Sequence, residues 1–225
     1  MTAEPPPYPR IPHLVPTPRA QRDDLVVPAE RCGGFLTGQV VVEEKLDGAN
    51  VVLWVGEAGR IAVAGRGGAG AMDRAAQLGR LRAWASQRAD RLLPLLTDGW
   101  VLYGEWLWLA HSVRYERLPD LLVGLDLWSP KRGFASADER DRVLASTGIA
   151  TPPRRFTGVL GSLDRLADLF GPSAFGAPQM EGLILRRERD GAVRDRAKLL
   201  APGFTRVTDP QWKARRQRRN AVTRG

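Results

Sequence analysis

The stretch at 39–50, Gln-Val-Val-Val-Glu-Glu-Lys-Leu-Asp-Gly-Ala-Asn, constrains the fold of this chain more than any other. The β-branched run at 40–42 predicts a buried strand, and a second apolar run at 51–55 predicts another. Gly48 lies between them, so the pattern is typical of a β-hairpin with a tight turn. The sequence therefore predicts a sheet in which charged residues follow directly on a buried strand.

Lys45 stands at the end of the first predicted strand. Loss of solvation there would disfavour the ammonium form and lower the pKa of the side chain. Because only a neutral amine attacks, Lys45 is a candidate nucleophile. The alternative is an ordinary hairpin in which Lys45, Asp47 and Asn50 are solvated turn residues, since so short a motif often arises by chance.

The composition limits the class of protein. A chain of 225 residues with 43% hydrophobic residues can form one large domain or two small ones. Cys32 is the only cysteine, which excludes a disulfide framework and a zinc cluster, and no apolar run is long enough to span a bilayer. We therefore expect a cytoplasmic protein. The net charge of +9 indicates an anionic partner such as nucleic acid, although an arginine-rich proteome would give the same balance.

Three helices are predicted from capping residues and apolar spacing. One is expected near 72–93, where apolar residues recur every three or four positions, with Pro94 and Gly99 closing it. Ser136 begins a second helix, to about 147, because Glu139 completes a capping box. Ser162 begins a third. Its inward positions are expected to be Leu163, Leu166, Leu169 and Phe170.

The remaining segments are predicted as strands or as irregular chain. Residues 1–38 are rich in proline and should form an extended arm with little regular structure. Its residues Tyr8, Ile11 and Leu14 are apolar enough to pack on the core. Further strands are expected at 60–64, 100–106 and 121–128, with a hairpin of 182–187 and 193–199 around Asp190-Gly191. Because strands and helices do not alternate regularly, the sequence favours an α+β fold.

Four more charged residues adjoin segments that should be buried. Arg66 lies in a glycine-rich turn, and the other three, next to predicted strands, are Glu105, Glu181 and Lys198. A charge in such a place is costly unless it is paired or bound to a metal or ligand. Each has an ordinary explanation, such as a turn, a cross-sheet ion pair or a strand-edge charge. A single pocket shared with Lys45 would account for all of them.

In this order, the motifs resemble those of the covalent nucleotidyltransferase superfamily of ATP-dependent DNA ligases, RNA ligases and capping enzymes. The five motifs are Lys45-Leu46-Asp47-Gly48, Tyr103-Gly104-Glu105, Gly124-Leu125-Asp126, Glu181-Gly182-Leu183-Ile184 and Arg196-Ala197-Lys198. Asn50 resembles the RNA ligases of the RNA ligase 2 type, which carry asparagine at this position. Three further stretches resemble those of a bacterial branch of RNA ligases, namely Tyr8-Pro9-Arg10, Pro12-His13-Leu14 and His111-Ser112.

The chain departs from this family pattern at three places. Leu125 stands where an aromatic residue that stacks on adenine is expected, and Arg196 stands where many relatives have lysine. Gln211-Trp212 replaces the His-Trp pair of the bacterial branch. The resemblance covers roughly residues 8–212.

The resemblance implies the domain organisation. An α+β nucleotidyltransferase domain, that is, an ATP-grasp-like ligase adenylation domain of antiparallel sheets flanked by helices, is expected at 39–200. An N-terminal arm at 1–38 would pack on this core, and 201–225 would form a basic tail. The stretch after Lys198 is too short for the five strands of an OB fold, so no OB-fold domain is expected.

The activity implied is that of an ATP-dependent RNA ligase. Such an enzyme joins a 3′-hydroxyl to a 5′-phosphate through lysyl-AMP and an adenylylated RNA 5′-end, with ATP and Mg²⁺, or Mn²⁺, as cofactors. RNA ends are the expected partners of a monomer that binds no membrane, and an RNA end-healing enzyme is left open as a further partner. The alternatives are an ATP-dependent DNA nick ligase and a non-catalytic nucleic-acid-binding module of the same fold.

The resemblance also implies a role for each site residue. Lys45 would be the nucleophile, while Arg196 and Lys198 would clasp the α-phosphate and lower the pKa of Lys45. Glu181 and Asp47 would hold the water ligands of the metal. Glu105 would bind the ribose hydroxyls, and the backbone beside Glu44 would read adenine. The complete set of expected nucleotide contacts is Glu44, Lys45, Asn50, Arg66, Glu105, Leu125, Leu183 and Lys198.

The basic tail gives a separate hypothesis. Five of its residues lie within 213–219, namely Lys213, Arg215, Arg216, Arg218 and Arg219. Like charges at this density repel one another and need a polyanion or solvent. The segment is therefore either a frayed terminus, helical or disordered, or a grip on the RNA backbone that Trp212 anchors to the core. Removal of 213–225 is expected to spare lysyl-AMP formation.

Overall fold

The computed structural model of the chain describes residues 4–16, 25–65, 75–207, 211–212 and 217–223. It divides into two compact units, and the 39–50 stretch crosses the division. The first unit comprises Met1–Pro9, Gly48–Trp108 and Asp120–Thr151, and the second comprises Arg10–Asp47, Leu109–Pro119 and Pro152–Gly225. The arm, core and tail boundaries drawn from the sequence stay a prediction.

The described residues contain five α-helices and nine strands. In chain order they are α1 (Ala29–Thr37), β1 (Gln39–Lys45), β2 (Ala49–Val55), β3 (Ile61–Gly65), α2 (Ala75–Ser86), α3 (Ala89–Thr97), β4 (Val101–Trp106), β5 (Leu122–Ser129), β6 (Gly133–Phe134), α4 (Ala137–Ala145), β7 (Arg154–Val159), α5 (Leu163–Ala167), β8 (Gly182–Arg189) and β9 (Ala192–Leu200), with a short 3-10 turn at Glu57–Gly59. None of these helices is long and apolar enough to cross a membrane.

The second unit is built on a four-stranded antiparallel sheet in the order β7-β1-β8-β9. One face of this sheet is apolar and packs on α1 and residue 14, in a cluster that includes Leu14, Phe35, Val40, Val42, Leu183, Leu185 and Ala197. Residues 12–14 cover the outer edge of β9. Lys198 donates its backbone N–H to the Pro12 carbonyl at 2.8 Å, and Leu14 donates to the Lys198 carbonyl at 2.8 Å. Lys198 is therefore not on an open sheet edge.

The first unit contains a five-stranded antiparallel sheet in the order β3-β2-β4-β5-β6. One face packs on α2, α3 and α4 through a core that includes Val51, Leu53, Leu81, Leu92, Leu102, Trp106, Leu122, Leu127 and Leu144. The opposite face carries Tyr103 and Asp126, and Tyr8 lies over both. Tyr8 donates its hydroxyl to the Asp126 carboxylate, and its ring lies 5.1 Å from that of Tyr103. The expected packing of Tyr8 on the core is confirmed.

The hairpin predicted across 40–55 is wrong. β1 pairs with β7 and β8, whereas β2 pairs with β3 and β4, so the two strands belong to different sheets. Gly48 is needed for space rather than for a hairpin bend, because a Cβ atom there would lie 2.7 Å from Leu107 Cδ2 and from the Trp106 carbonyl. Apolar runs predict strands but not their partners, since both sheets accept runs of this length.

The prediction of one helix near 72–93 is also wrong, because α2 and α3 are separate helices. Residues 72–74 lie outside the described residues. Pro94 lies inside α3 rather than closing it. The arm at 1–38 is not without regular structure, since it contains α1. Leu163 is 45% exposed instead of inward, although Leu166 is buried as expected.

Three local predictions are confirmed. Ser136 accepts a hydrogen bond from the Glu139 backbone N–H and begins α4, and Ser162 does the same for Arg165 in α5. The β8–β9 hairpin turns at Asp190-Gly191, where φ is 55° and 71°. With two antiparallel sheets flanked by helices, the α+β fold class is confirmed.

Candidate active site

Lys45 and Glu181 are brought together by the register of β1 and β8. Lys45 is the last residue of β1 and faces Gly182, the first residue of β8. Lys45 Nζ lies 2.6 Å from Oε1 of Glu181, which is only 6% exposed. Glycine is required at 182 because a Cβ atom there would meet the Leu199 carbonyl oxygen at 2.3 Å. Gly182 therefore allows β9 to approach closely, and the preceding residue, Glu181, contacts Lys45.

The face of the second unit's sheet that bears Lys45 is charged. Side chains alternate between the two faces of a strand, so residues two positions apart share a face. The paired positions Glu43, Ile184 and Lys198 therefore share the face of Lys45. The pair Arg186 and Arg196 lies on it as well. We call the set Lys45, Glu43, Lys198, Arg186 and Arg196 the charged face.

Positive charge outnumbers negative charge on the charged face, and much of it is buried. Arg186 is 1% exposed and Arg196 is 8% exposed. Arg186 lies 3.8 Å from the Glu43 carboxylate and donates through Nε to Glu188 at 3.0 Å. Buried cations are costly unless an anion compensates them. A surface with this excess suits an anionic ligand such as a phosphate chain.

Asp47 fixes the turn after Lys45 to the segment at 109–119. Asp47 Oδ2 accepts backbone hydrogen bonds from Ser112 at 2.5 Å and Val113 at 2.7 Å. The Asp47 backbone N–H donates to the Tyr115 hydroxyl at 2.8 Å. Three hydrogen bonds therefore hold this turn in one conformation. The metal-binding role expected of Asp47 stays a prediction, and one of its oxygens already has two donors.

Tyr115 is a site residue that sequence reasoning missed. Its ring is fully buried, and burial raises the pKa of the hydroxyl well above its usual value. The negative charge of Glu181 raises that pKa further, and the Asp47 backbone hydrogen bond only partly opposes the shift. The hydroxyl is therefore protonated at neutral pH. No motif marks this tyrosine, because its contacts depend on a loop that folds back on Asp47.

Glu44 and Leu183 do not lie on the charged face. By strand alternation both belong to the opposite face, where Leu183 is fully buried in the apolar cluster. Glu44 Oε2 accepts hydrogen bonds from Arg155 Nη2 at 2.9 Å and from the Ala174 N–H at 3.1 Å. The Glu44 backbone N–H donates to the Pro153 carbonyl at 2.9 Å. A nucleotide on the charged face would not contact the Leu183 side chain.

The other predicted nucleotide contacts belong to the first unit. Asn50 and Glu105 are paired positions of β2 and β4. Glu105 Oε1 accepts a hydrogen bond from the Gly48 N–H at 3.0 Å, which holds the start of β2. Leu125 lies at an irregularity of β5, where its carbonyl accepts from Arg140 Nη1 at 2.8 Å. Arg66 falls outside the described residues. The nucleotide roles of all four stay predictions.

The segment near the C-terminus docks on 109–119. The anchoring role expected of Trp212 is confirmed, because Nε1 donates to the Ala110 carbonyl at 2.9 Å and the ring lies 5.1 Å from that of His111. Asn220 is buried, and its Oδ1 accepts from the Tyr115 backbone N–H at 2.8 Å. Residues 217–223 therefore support the loop that holds Asp47. The expectation that removal of 213–225 spares lysyl-AMP formation stays a prediction.

The predicted RNA-binding residues fall partly inside and partly outside the described residues. Arg218 and Arg219 are exposed. Lys213, Arg215 and Arg216 fall outside the described residues, so their role stays a prediction. Across the described ranges, no group of three or more His, Cys, Asp and Glu residues is arranged to hold a metal ion.

The RNA ligase family model matches residues 38–200 of this chain. The chain belongs to the RNA ligase family. The bacterial branch suggested by the sequence stays a prediction. None of the curated proteins matches the chain.

Solved RNA ligases share the fold. A mutant Naegleria gruberi RNA ligase with ATP and Mn aligns with a TM-score of 0.57 and 17% identity over 89% of this chain and 62% of its own. Another mutant of that ligase, with AMP and Mn, aligns with a TM-score of 0.54 and 16% identity over 76% of this chain and 52% of its own. An archaeal ATP-dependent RNA ligase aligns with a TM-score of 0.55 and 16% identity over 87% of this chain and 48% of its own. The chain thus spans about half the length of the solved ligases it resembles.

Proposed function

We propose that the protein is an ATP-dependent RNA ligase that uses Lys45 as its nucleophile. The observation that carries this proposal is the charged face, on which Lys45 meets Glu181 at 2.6 Å and shares the sheet surface with Lys198 and Arg196. Membership of the RNA ligase family supports RNA as the substrate. Similar structures were solved with ATP or with AMP and Mn, which supports ATP as the nucleotide.

In the first step, Lys45 Nζ forms a bond to the α-phosphorus of ATP, and the bond from that phosphorus to the bridging oxygen breaks. Pyrophosphate leaves with the electron pair. In the structure Glu181 stabilises the protonated amine, so the lysine must lose a proton before it attacks. Glu181 is a proton acceptor at hydrogen-bond distance. Lys198 and Arg196 would offset the charge that develops on the phosphate oxygens.

Mg²⁺ or Mn²⁺ fits part of this site. Glu181 is a nearly buried carboxylate, and Mg²⁺ commonly binds one or two carboxylates together with phosphate oxygens and water. Glu181 would hold the ion with help from the nucleotide. The ion would supply positive charge that offsets Glu181 and so favours the neutral form of Lys45. Asp47 fits this role less well, because its Oδ2 is engaged by two backbone N–H groups.

Two further transfers complete the proposed reaction. An oxygen of the RNA 5′-phosphate attacks the phosphorus of lysyl-AMP, the phosphorus–nitrogen bond breaks, and Lys45 is restored. The RNA 3′-hydroxyl then attacks the 5′-phosphorus, a phosphodiester forms, and AMP leaves. We further propose that the enzyme acts as a cytoplasmic monomer on RNA ends, with an end-healing enzyme as a partner that prepares them.

The test of this proposal is covalent labelling. The full chain is incubated with ATP radiolabelled at the α-phosphate and Mg²⁺ or Mn²⁺, then denatured and separated. Wild type should retain the label, and Lys45→Ala should lose it. Lys131→Ala, which removes an exposed lysine of the first unit, is the matched control and should label normally.

Each alternative function predicts its own outcome, in the labelling assay or in a parallel sealing assay with nicked DNA and RNA. An absence of label in wild type would favour the non-catalytic binding module. Preferential labelling by GTP would favour a capping enzyme. Sealing of nicked DNA in preference to RNA would favour the DNA nick ligase. A Lys45→Ala protein that still labels fully would overturn the assignment of the nucleophile.

A further inference from the structure

Residues 109–119 and 217–223 run side by side in the second unit and form what we call the two-segment ribbon. Four backbone hydrogen bonds of 2.8–3.0 Å join them. With the N–H donor named first and the carbonyl acceptor second, they are Ala110 to Arg218, Leu118 to Ala221, Ala221 to Tyr115 and Thr223 to Leu118. The Asn220 side chain adds a bond to the Tyr115 backbone. The ribbon is therefore a fixed part of the fold.

The two sides of the ribbon differ in chemistry. Its inward side chains are buried, namely Val113, Tyr115, Leu118 and Asn220. Its outward side chains include four exposed arginines, Arg114, Arg117, Arg218 and Arg219. Glu116 is the only acidic residue in the sequence of either segment. The outward side thus concentrates positive charge on a backbone that is already ordered.

Several other arginines of this unit pair with carboxylates of the chain itself. On the β8–β9 hairpin, Arg189 and Arg194 lie 3.6 and 3.4 Å from the same carboxylate, that of Asp190. Arg31 and Arg187 share Asp195. In contrast, Arg114, Arg117 and Arg218 form no ion pair with a described carboxylate. These three arginines therefore keep their positive charge available to an external anion.

We propose that the outward side of the two-segment ribbon binds the phosphate backbone of RNA through Arg114, Arg117, Arg218 and Arg219. The identity of the polyanion rests on the proposed function. Guanidinium groups bind phosphate through directed, charge-assisted hydrogen bonds. Because the backbone of the ribbon is ordered before binding, less conformational entropy is lost than for a free tail.

This proposal changes the tail hypothesis drawn from the sequence. The RNA contact is made by two segments, and half of its arginines precede Glu181 in the sequence. Its inward side holds Asp47 and Tyr115, next in the chain to Lys45. RNA phosphates on the ribbon would thus be held by the same loop that fixes the turn after the nucleophile.

The experiment compares two fourfold variants with the same loss of charge. One carries Arg114→Gln, Arg117→Gln, Arg218→Gln and Arg219→Gln. The control carries Gln at four exposed arginines outside the ribbon, namely Arg60, Arg80, Arg82 and Arg165. The affinity of each full-length protein for a short 5′-phosphorylated single-stranded RNA is measured across a series of salt concentrations, after thermal melting has checked that each is folded.

Each phosphate contact contributes a slope of about −0.7 to the dependence of log affinity on log salt for single strands. The ribbon variant should therefore flatten the slope by about 2 to 3, and the control by less than about 1. Equal slopes in the two variants would overturn the proposal. If the fourfold variant does not fold, the pairs Arg114/Arg117 and Arg218/Arg219 are changed separately, and each should flatten the slope by about 1.4.

Labelling of wild type by ATP, scored in parallel, separates this proposal from the proposed function. A wild type that binds RNA through the ribbon but never labels would overturn the ligase assignment alone. A wild type that labels normally, with a ribbon variant that binds RNA like the control, would overturn the ribbon alone.

Discussion

The two sheets of this protein differ in how their buried charges are compensated. In the first unit, Asp126 is fully buried, and Tyr8 donates a hydrogen bond to it. In the second unit, Lys45, Lys198, Arg186 and Arg196 share one face with a smaller number of carboxylates. A buried charge whose partner comes from its own chain is part of the fold, whereas an excess of one sign is costly without a ligand. The comparison supports the second unit's sheet as the proposed place of the chemistry.

Apart from replacement of Lys45 itself, removing the Glu181 charge should have the largest effect on activity. Glu181→Gln keeps the size of the side chain but removes the carboxylate that lies 2.6 Å from Lys45 Nζ and that we propose as a metal ligand. We expect self-adenylylation to fall by about 100-fold or more, in the range seen when a single electrostatic group is removed from an active site. The measurement is single-turnover labelling with ATP.

Thermal melting of the same variant provides the control, because the midpoint should stay close to that of wild type. A Glu181→Gln protein that unfolds but labels normally per folded molecule would mean that Glu181 is structural, like Asp126. That outcome would break the comparison between the two sheets.

The corresponding change in the first unit should affect stability instead. Tyr8→Phe removes the hydroxyl that donates a hydrogen bond to the buried, charged Asp126 carboxylate. The expected cost is about 1–3 kcal/mol, or about 2–4 °C in melting midpoint for each kcal/mol in a chain of this size. Labelling per folded molecule should be unchanged. A selective loss of labelling without a fall in the midpoint would count against a purely structural role.

Asn220→Ala tests the support that the C-terminal segment gives to the second unit. It leaves the buried Tyr115 backbone N–H without its acceptor, which should cost about 1–3 kcal/mol. Gln217→Ala, at an exposed position of the same segment, is the matched control and should melt like wild type. Identical midpoints for the two variants would show that the docked segment contributes nothing to stability.

The smallest effect should be the pH dependence caused by Tyr115. Burial, with the charge of Glu181, raises the pKa of its hydroxyl well above the usual value of 10.0. Its protonated form therefore contributes stability that is fully present below pH 10 and is lost as pH rises further, because the unfolded chain ionises first. Wild type should lose more stability than Tyr115→Phe between neutral pH and pH 11, by denaturant unfolding. Parallel losses would contradict the raised pKa.

The sequence predicted that Lys45 and Glu181 lie together, as the structure shows, but it did not predict the strand pairing and loops that hold them. Local strand patterns lie beside Lys45, Glu181 and Lys198. The sequence alone was therefore enough to identify these residues as candidates. The hairpin error at 40–55 arose because a strand pattern contains no information about its partner. Tyr115 and Asn220 were missed because the ribbon has neither helical nor strand periodicity, and its pairing joins segments about one hundred positions apart.

The central claim is that Lys45, through its place on the charged face, becomes covalently bound to AMP. The most direct test is to incubate the full chain with ATP and a divalent cation, digest it, and locate the AMP adduct by peptide mass spectrometry. We expect an adduct on the peptide that contains Lys45, with the phosphorus bound to the side-chain nitrogen. An adduct on Lys198, Lys131 or any other residue, with Lys45 unmodified, would contradict it.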